Sequence, residues 1–402
     1  MLLSLALDRS KQIVETVSKL KSVQKVDVTG ELRRIREIIS QIELICSVDN
    51  EEKLIEDISK FFHYNKITAS SSSSIYQLKS EDHGDFILHA TSESYYDYAL
   101  LHTTGSLEFM KKMHDPGKIE NFTEIEYFKS NNLKYIQPEM REINYFALPD
   151  KLQEQTELSM EHFNGFFHFH TTYSDGDNSL PEMIDEVARY GFRYAVVSDH
   201  SKSAFYANGL KEDRILQQRK EIEDFNKKSK IKVYHGIESD ILKDGSLDYP
   251  DEILNQFQFI VASIHSLFNM SEDEMTNRII RAVENPFTDI LAHPTGRLLL
   301  SREGYKVDIK KVIDACVANQ VAIEINANPH RLDLDWRNLY YAREKRCLIT
   351  INPDAHSTEG VSDIEYGIMI ARKSGVQPEE VLNCYEEKEF IKFINRKVKR
   401  TI

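Results

Sequence analysis

The sequence predicts an α/β protein: a barrel of seven parallel strands in the C-terminal half, preceded by a smaller α+β region. Three observations carry this. From about residue 163, short apolar runs alternate with amphipathic segments at roughly 25–35 residue spacing, the rhythm of strand–helix units in a parallel sheet. Seven of those runs finish in a polar residue, nearly always one able to bind a metal, and barrels of this type place their chemistry at the C-terminal strand ends. The preceding residues show no such regular alternation and mix helical and extended signals.

Taken in order, Leu7–Leu20 has helical spacing, Val23–Val28 reads as a strand and Glu52–Phe62 as a helix. The five serines Ser70–Ser74 read as a loop tip. Residues 115–160 are loop-rich, with turn signals at Asp115-Pro-Gly, Gln137-Pro-Glu and Leu148-Pro-Asp. Tyr135, Ile136, Tyr145 and Phe146 predict that this stretch packs on its neighbours instead of hanging free. The expected division is therefore a first domain over 1–115, a connector over 116–162 and a barrel domain over 163–402.

Each barrel strand runs into its own polar ending. Phe166–Phe167 leads into His168 and His170, with Asp175 just after; Tyr194–Val197 into Asp199 and His200; Ile231–Ile237 into Glu238. Phe259–Ile264 leads into His265, Ile290–Ala292 into His293, Val321–Ile325 into Asn326, and Cys347–Ile351 into Asp354 and His356. Between them, Leu180-Pro181-Glu182 begins a helix that Ser179 can cap, with Pro in the first turn and Glu suited to the helix dipole. Lys211–Asn226, Glu272–Glu284 and Ile309–Asn319 are further helix candidates.

Bulk properties narrow the function. A net charge of −14 and a pI near 5.5 argue against a chain that coats nucleic acid non-specifically. The basic cluster Lys392–Arg400 reads as a solvated helix face. Four scattered cysteines without a CxxC pair argue against a disulfide framework or a Cys-type zinc site. The apolar start is too short for a signal peptide and no stretch approaches membrane-spanning length, so no membrane partner and a cytoplasmic location are expected. The sequence holds no GxGxxG, P-loop or GxSxG.

His168 and His170 form an HxH pair; on a strand, positions i and i+2 share a face, so both imidazoles can meet one ion. Together with Asp175, His200, Glu238, His265, His293, Asp354 and His356 they make nine candidate ligands, six histidines and three carboxylates. The eight other histidines are read as structural. An all-nitrogen-and-oxygen set suits manganese, zinc or iron at a catalytic site. Nine donors exceed the needs of one ion and suit two or three, with Glu238 as a bridge. Clustered divalent cations are the usual means of phosphoester hydrolysis, because they acidify water, hold phosphate oxygens and stabilise the leaving oxygen.

These motifs resemble a known family. The stretches HFHTTYSDG (168–176), SDHS (198–201), GIESDIL (236–242), ASIHS (262–266), DILAHPTGR (289–297), EINANP (324–329) and INPDAHS (351–357) are similar to those of PHP (polymerase and histidinol phosphatase) domains. The resemblance implies a distorted, TIM-like (β/α)7 barrel with a trinuclear site. It would place His168, His170, Glu238 and Asp354 on a first metal, Glu238, His265 and His293 on a second, and Asp175, His200 and His356 on a third. Glu238, His265, Asp354 and Arg297 are the expected catalytic residues, with Arg297, Arg331 and Lys202 as candidate phosphate grips.

Asp244–Asp251, His293–Arg297 and Asn326–Asp333 are more narrowly similar to the PHP domain that follows the polymerase core in bacterial family X DNA polymerases. That resemblance implies a manganese- or zinc-dependent 3′-5′ exonuclease or end-processing phosphoesterase acting on nucleic-acid 3′ ends. The alternative is a small-molecule phosphomonoesterase of the histidinol-phosphatase kind. Upstream, Val28–Glu37 and Thr104-Gly-Ser106 resemble a nucleotidyltransferase palm, yet Gln41-Ile-Glu43 stands where its Asp-x-Asp would lie, and Asp85 alone matches the third carboxylate. The first domain is expected to be palm-like without polymerase activity, serving docking, dimerisation or substrate gripping.

Overall fold

The computed structural model describes residues 1–69, 73–80, 84–117, 119–142 and 144–400, and the chain forms two compact units, Met1–Gln155 and Thr156–Ile402.

In the first unit, β1 (Val23–Val28), β2 (Ile42–Val48), β3 (His63–Ala69), β4 (Ser73–Ser80) and β5 (Gly84–Thr91) form one sheet in the order β1-β2-β5-β4-β3. Only the β2/β5 pairing is parallel. The first helix runs Leu3–Ser18 and begins before the expected Leu7, because the buried stripe Leu3, Ala6, Ser10, Ile13, Val17, apolar except for Ser10, continues the i, i+3, i+4 pattern back to the start. The next runs Glu51–Ile58, where Asn50 caps it by accepting from Lys53 N at 3.0 Å. It stops short of the expected Phe62, whose ring lies edge-on to Phe86. Ser73 and Ser74 open β4, whereas the rest of the expected serine tip, Ser70–Ser72, lies outside the described residues.

The loop-rich stretch packs with this first unit as far as Gln155. Tyr127, Phe128, Ile136, Met140 and Tyr145 join Leu101, Phe109 and Met113 in one buried cluster. Beside it, the fully buried Arg141 and the partly buried Arg33 both make paired hydrogen bonds to the carboxylate of Glu124.

The second unit is a parallel sheet of seven strands with helices between them: β6 (Gly165–Phe166), β7 (Tyr194–Val197), β8 (Lys232–Asp240), β9 (Phe259–Ser263), β10 (Ile290–Leu291), β11 (Ala322–Asn326) and β12 (Ile349–Asn352). The strands follow in sequence order, and an isolated parallel bridge between Phe169 and Ala355 brings the two edges together, so the sheet nearly closes into a barrel. The helix Leu180–Arg189 begins where expected, and Glu212–Asn226, Glu272–Glu284 and Ile309–Ala318 lie within a residue of their expected bounds. At the start of the first of them, Ser179 N and Oγ both donate to the Glu182 carboxylate, at 2.8 and 2.7 Å, so the pair that its sequence suggests does close the helix end.

Phe167, Tyr194, Tyr234, Phe259, Phe390 and Phe393 fill the end of the barrel where the strands begin. The last helix, Glu387–Ile394, supplies Phe390, Phe393 and Ile394 to that plug. The basic cluster Lys392–Arg400 is not the solvated face its composition suggests, because its second half is tied to a buried acid. Arg396 donates to the fully buried Asp289 at 2.7 Å, Arg400 donates to its other oxygen, and Lys397 donates to Thr288 O. A buried carboxylate must be neutralised, and these side chains do it.

Candidate metal centre

The nine predicted ligands converge at the opposite end of the barrel, where the strands finish. They fall into four overlapping groups, each with donor atoms all within 4.8 Å of one another: His170, Asp175, His200 and His356; His168, His170 and Asp354; His168, Glu238 and His293; and His200, Glu238 and His265. Glu238 sits at the middle. Five imidazole nitrogens crowd its carboxylate, from His200 at 2.8 Å, His293 at 3.1 Å, His168 at 3.2 Å, His265 at 3.3 Å and His170 at 3.6 Å. Asp354 lies 3.0 Å from His170 and 3.4 Å from His168. Asp175 lies 3.4 Å from His356 and 3.6 Å from His200.

The HxH pair converges for a different reason from the one its spacing suggests. Strand β6 ends at Phe166, and His168 has a left-handed backbone with φ +52°. Alternation along a strand therefore does not set the two rings side by side; a sharp turn does. Asp354 (φ +56°) and His293 (φ +27°) also depart from the ordinary backbone region. Non-glycine residues held there cost on the order of 1–3 kcal/mol each and cluster at functional sites. The turn carrying Asp175 is equally constrained: a Cβ on Gly176 would stand 2.7 Å from the backbone of His170.

Four further acidic residues complete the site, and sequence reasoning missed their roles. Glu324, buried in β11, lies 2.6 Å from His168 Nδ1 and accepts from His293 N at 2.7 Å and from Asn352 at 2.9 Å. Asp240 lies 2.6 Å from His265 Nδ1. Asp199 accepts from Thr171 and Ser174, backbone and hydroxyl alike, and from Gln218, and so ties down the turn that carries Asp175. Asp333 accepts from the backbone N–H groups of Thr295 and Gly296, just after His293. The signal was present: a glutamate in the apolar run Val-Ala-Ile-Glu-Ile, and acidic residues one or two positions from a ligand. With Glu324, Asp240 and the carbonyl of Asp354 taking the Nδ1–H of His168, His265 and His356, each ring turns its Nε2 toward the cluster.

Arg297 is not the phosphate grip its position suggests. Its Nε donates to Arg331 O at 2.9 Å, and its two terminal nitrogens donate to Asp335 and Leu332 O. It braces the loop that carries Arg331. Lys202 is likewise occupied, by Glu212 at 3.0 Å. Arg331 reaches the cluster, with its Nε 3.7 Å from Asp354.

The donor set fits divalent cations. His168 Nε2, His170 Nδ1, His200 Nδ1 and Glu238 Oε2 are buried among the other donor atoms of the cluster, close to them yet without a hydrogen bond of good geometry. Buried polar atoms are seldom left so, and lone pairs that face one another need positive charge between them. Electrostatics agree. Burial alone would raise the Glu238 carboxyl, but His200, His265 and His168 outweigh it and hold it well below the usual carboxylate range. Asp354 is depressed in the same way, against its burial, chiefly by His168. The side chains of Asp175 and His356 are about one-third exposed and mark the open side of the site. No helix among the described residues is long and apolar enough to cross a membrane.

Residues 167–328 match the PHP domain. Over 97% of its length the chain is 33% identical to the DNA polymerase/3′-5′ exonuclease PolX of Bacillus subtilis (strain 168), of which the match covers 72%. It is 27% identical, over 58% of its length, to a probable phosphatase of Thermoanaerobacter sp. (strain X514), with 95% of that protein covered. A probable phosphatase of Acetivibrio thermocellus is 26% identical over 58% of this chain and 95% of its own. With this barrel, this cluster of donors and that extent of identity, the chain belongs to the bacterial family X DNA polymerase/exonuclease family, and its second unit is a PHP-type, metal-dependent hydrolase.

Proposed function

We propose that the chain is a phosphoesterase of nucleic-acid 3′ ends, acting as a 3′-5′ exonuclease or end-processing enzyme without polymerase activity. The observation that carries this reading is the reach of the similarity: the polymerase/exonuclease relative matches both units, whereas the phosphatase relatives match little more than half of the chain. The nine ligands His168, His170, Asp175, His200, Glu238, His265, His293, Asp354 and His356 would hold two or three divalent ions, with manganese or zinc favoured by the donor set. The chemistry that bound cations supply at such a site is Lewis acidity toward phosphate oxygens and acidification of water.

The chain's own residues do the rest. Glu324 and Asp240 fix the tautomer of His168 and His265, so that their Nε2 lone pairs face inward. Arg331 stands beside Asp354 to bind a non-bridging phosphate oxygen. Asp175 and His356 line the side from which a phosphodiester enters. The fully buried His168, His170 and Glu238 keep bulk water from the floor of the site, where charge interactions are strongest.

The absence of polymerization is supported within the first unit. The alternation of β2 and β5 puts Glu43, Asp85 and His89 on the face away from the buried side, beside Gln41 at the head of β2. Glu43 is engaged by His89 at 3.0 Å. Asp27, on the same face opposite Ile45, accepts from the Tyr96 hydroxyl at 2.8 Å, so two of the three carboxylates there are engaged by neighbouring side chains, which argues against a two-metal site. A gap-filling assay with magnesium or manganese should show no templated incorporation. The reading is tested with single-stranded oligonucleotides, 3′-phosphate DNA and an aryl phosphate, each with manganese and with zinc. Shortening or trimming of the DNA that Glu238→Ala and His265→Ala both abolish is the expected result. Turnover of the aryl phosphate alone would favour the small-phosphoester reading, which the phosphatase relatives support.

A further inference from the structure

Beside the metal cluster, the loop after β7 presents two bare aromatic rings. Phe205 is 85% exposed and Tyr206 is 72% exposed, the highest values among the large apolar side chains described. Large rings usually bury, so adjacent exposed ones mark a surface that meets something else. Their place says what. The Tyr206 ring centroid lies 6.2 Å from that of His200 and 6.5 Å from that of His265. The Tyr206 ring thus stands at the rim of the cluster, beside two of its ligands.

The segment that carries these rings is held firmly. Ser203 N and Oγ donate to Asp248, and Lys202 N donates to the Tyr249 hydroxyl. Gly209 N returns to Ala204 O at 3.1 Å and Leu210 N to His200 O at 2.8 Å. Ala204, Ala207 and Leu210 are buried on either side of the rings, and a Cβ on Gly209 would collide with Ser201 O. The turn is thus a fixed arm that shows its two largest side chains to solvent. Rings held in advance lose little freedom when a flat partner settles on them.

We propose that Phe205 and Tyr206 form the stacking platform for the base of the nucleotide whose phosphoester lies at the metal cluster. The proposal rests on the nucleic-acid reading above and names its substrate more closely: a single-stranded end, whose terminal bases are unpaired and free to stack. A phosphate held near Glu238, His265 and Arg331 puts its own nucleoside within about one nucleotide length of the Tyr206 ring, with Phe205 the next residue on the same turn. Every base has a π-face, so such a platform accepts any sequence. A simple phosphomonoester without a ring would gain nothing from it.

The test uses the full-length protein loaded with manganese and two single-stranded oligonucleotides, one ordinary and one with an abasic 3′-terminal nucleotide. The wild type is expected to cleave the ordinary end roughly 5- to 100-fold more efficiently in kcat/KM, the range that base–aromatic stacking spans. The F205A/Y206A double variant should lose most of that preference, keep its rate on the abasic end and keep its metal content. Phe205→Trp with Tyr206→Phe should restore the preference. A double variant that still discriminates as the wild type does would overturn the stacking assignment while leaving the exonuclease reading in place. A wild type that cleaves neither oligonucleotide yet hydrolyses an aryl phosphate would overturn both.

Discussion

Glu324 lies 2.6 Å from His168 Nδ1 and, through its other oxygen, accepts the backbone N–H of His293, so one buried carboxylate sets two ligands on neighbouring sides of the barrel mouth. The His168 ring responds: although burial would lower its pKa, Glu324, Asp354 and Glu238 raise it well above the ordinary value. Glu324→Gln keeps the shape but leaves His168 without a carboxylate to orient it. Metal affinity and activity should each fall about 10- to 100-fold while the fold persists. Titration with manganese, followed by its bound fraction, checks the first, and the oligonucleotide assay checks the second.

Arg331 and Arg297 separate by experiment. Arg331 stands at the cluster, so Arg331→Gln should raise KM and lower kcat/KM by an order of magnitude or so, with metal content and unfolding temperature unchanged. Arg297 braces the loop instead. Arg297→Ala should lower the unfolding temperature as well as activity, since it leaves Asp335 without one partner and two backbone carbonyls without donors. Equal effects on stability from the two variants would contradict these roles.

Metal removal gives a third outcome. The imidazoles of His168, His170, His200 and His293 crowd the carboxylates of Glu238 and Asp354, and several of their buried nitrogens make no hydrogen bond of good geometry. A chelator should abolish hydrolysis and lower the unfolding temperature of the second unit, and added manganese or zinc should restore both. The single tryptophan, Trp336, is buried in that unit, so its fluorescence reports the transition directly. An unchanged transition after complete chelation would show that the cluster holds no structural charge deficit.

How much of this was legible in the sequence depended on local rules. The seven strands and their terminal ligands showed because an apolar run that stops at a histidine or acid is a pattern within a few residues of chain. The helix from Leu180 showed because Ser179 and Glu182 cap it locally. Glu324 stood out as an acid inside an apolar run, but its role was hidden because its partner lies 156 residues away. Arg297 misled for the same reason: four residues after a ligand, it turns toward Arg331, Leu332 and Asp335 on another loop. Arg396 and Arg400 looked like surface charge until folding brought the buried Asp289 beneath them.

The first unit carries its own titrating lock. Burial would raise the Glu124 carboxyl, but Arg141 and Arg33 overcome it and pull it from 4.5 to about 2. A carboxyl depressed on folding stabilises the folded state fully above its unfolded value, and that contribution is lost as pH falls through the folded value. The loss should therefore run from about pH 4.5 down to about pH 2. Protection factors at β1 to β5, each taken against the intrinsic exchange rate at the same pH, should fall over that range in the wild type. Glu124→Gln should already exchange faster at neutral pH and lack that acid-dependent step. Removing one partner of a buried pair costs about 3–5 kcal/mol, enough to read as a large change in exchange rate.

Asp289 offers the corresponding test in the barrel. It is fully buried, and Arg396 and Arg400 each hold one of its oxygens while Asp289 Oδ2 also accepts from Ile260 N. Arg400→Ala strips half of that compensation and should lower the Trp336 transition substantially, by about 3 kcal/mol or more if no water replaces the guanidinium. Asp289→Asn in the same chain removes the charge that needed it and keeps an oxygen for the Ile260 N–H. The double variant should recover part of the loss, so the two substitutions are non-additive in a double-mutant cycle. Since the plug of Phe390 and Phe393 sits beneath the strands and the ligands lie at their far ends, hydrolysis per folded molecule should not change in any of these variants. A fall in activity without a fall in stability would mean that the basic tail acts on the site by some route other than holding Asp289.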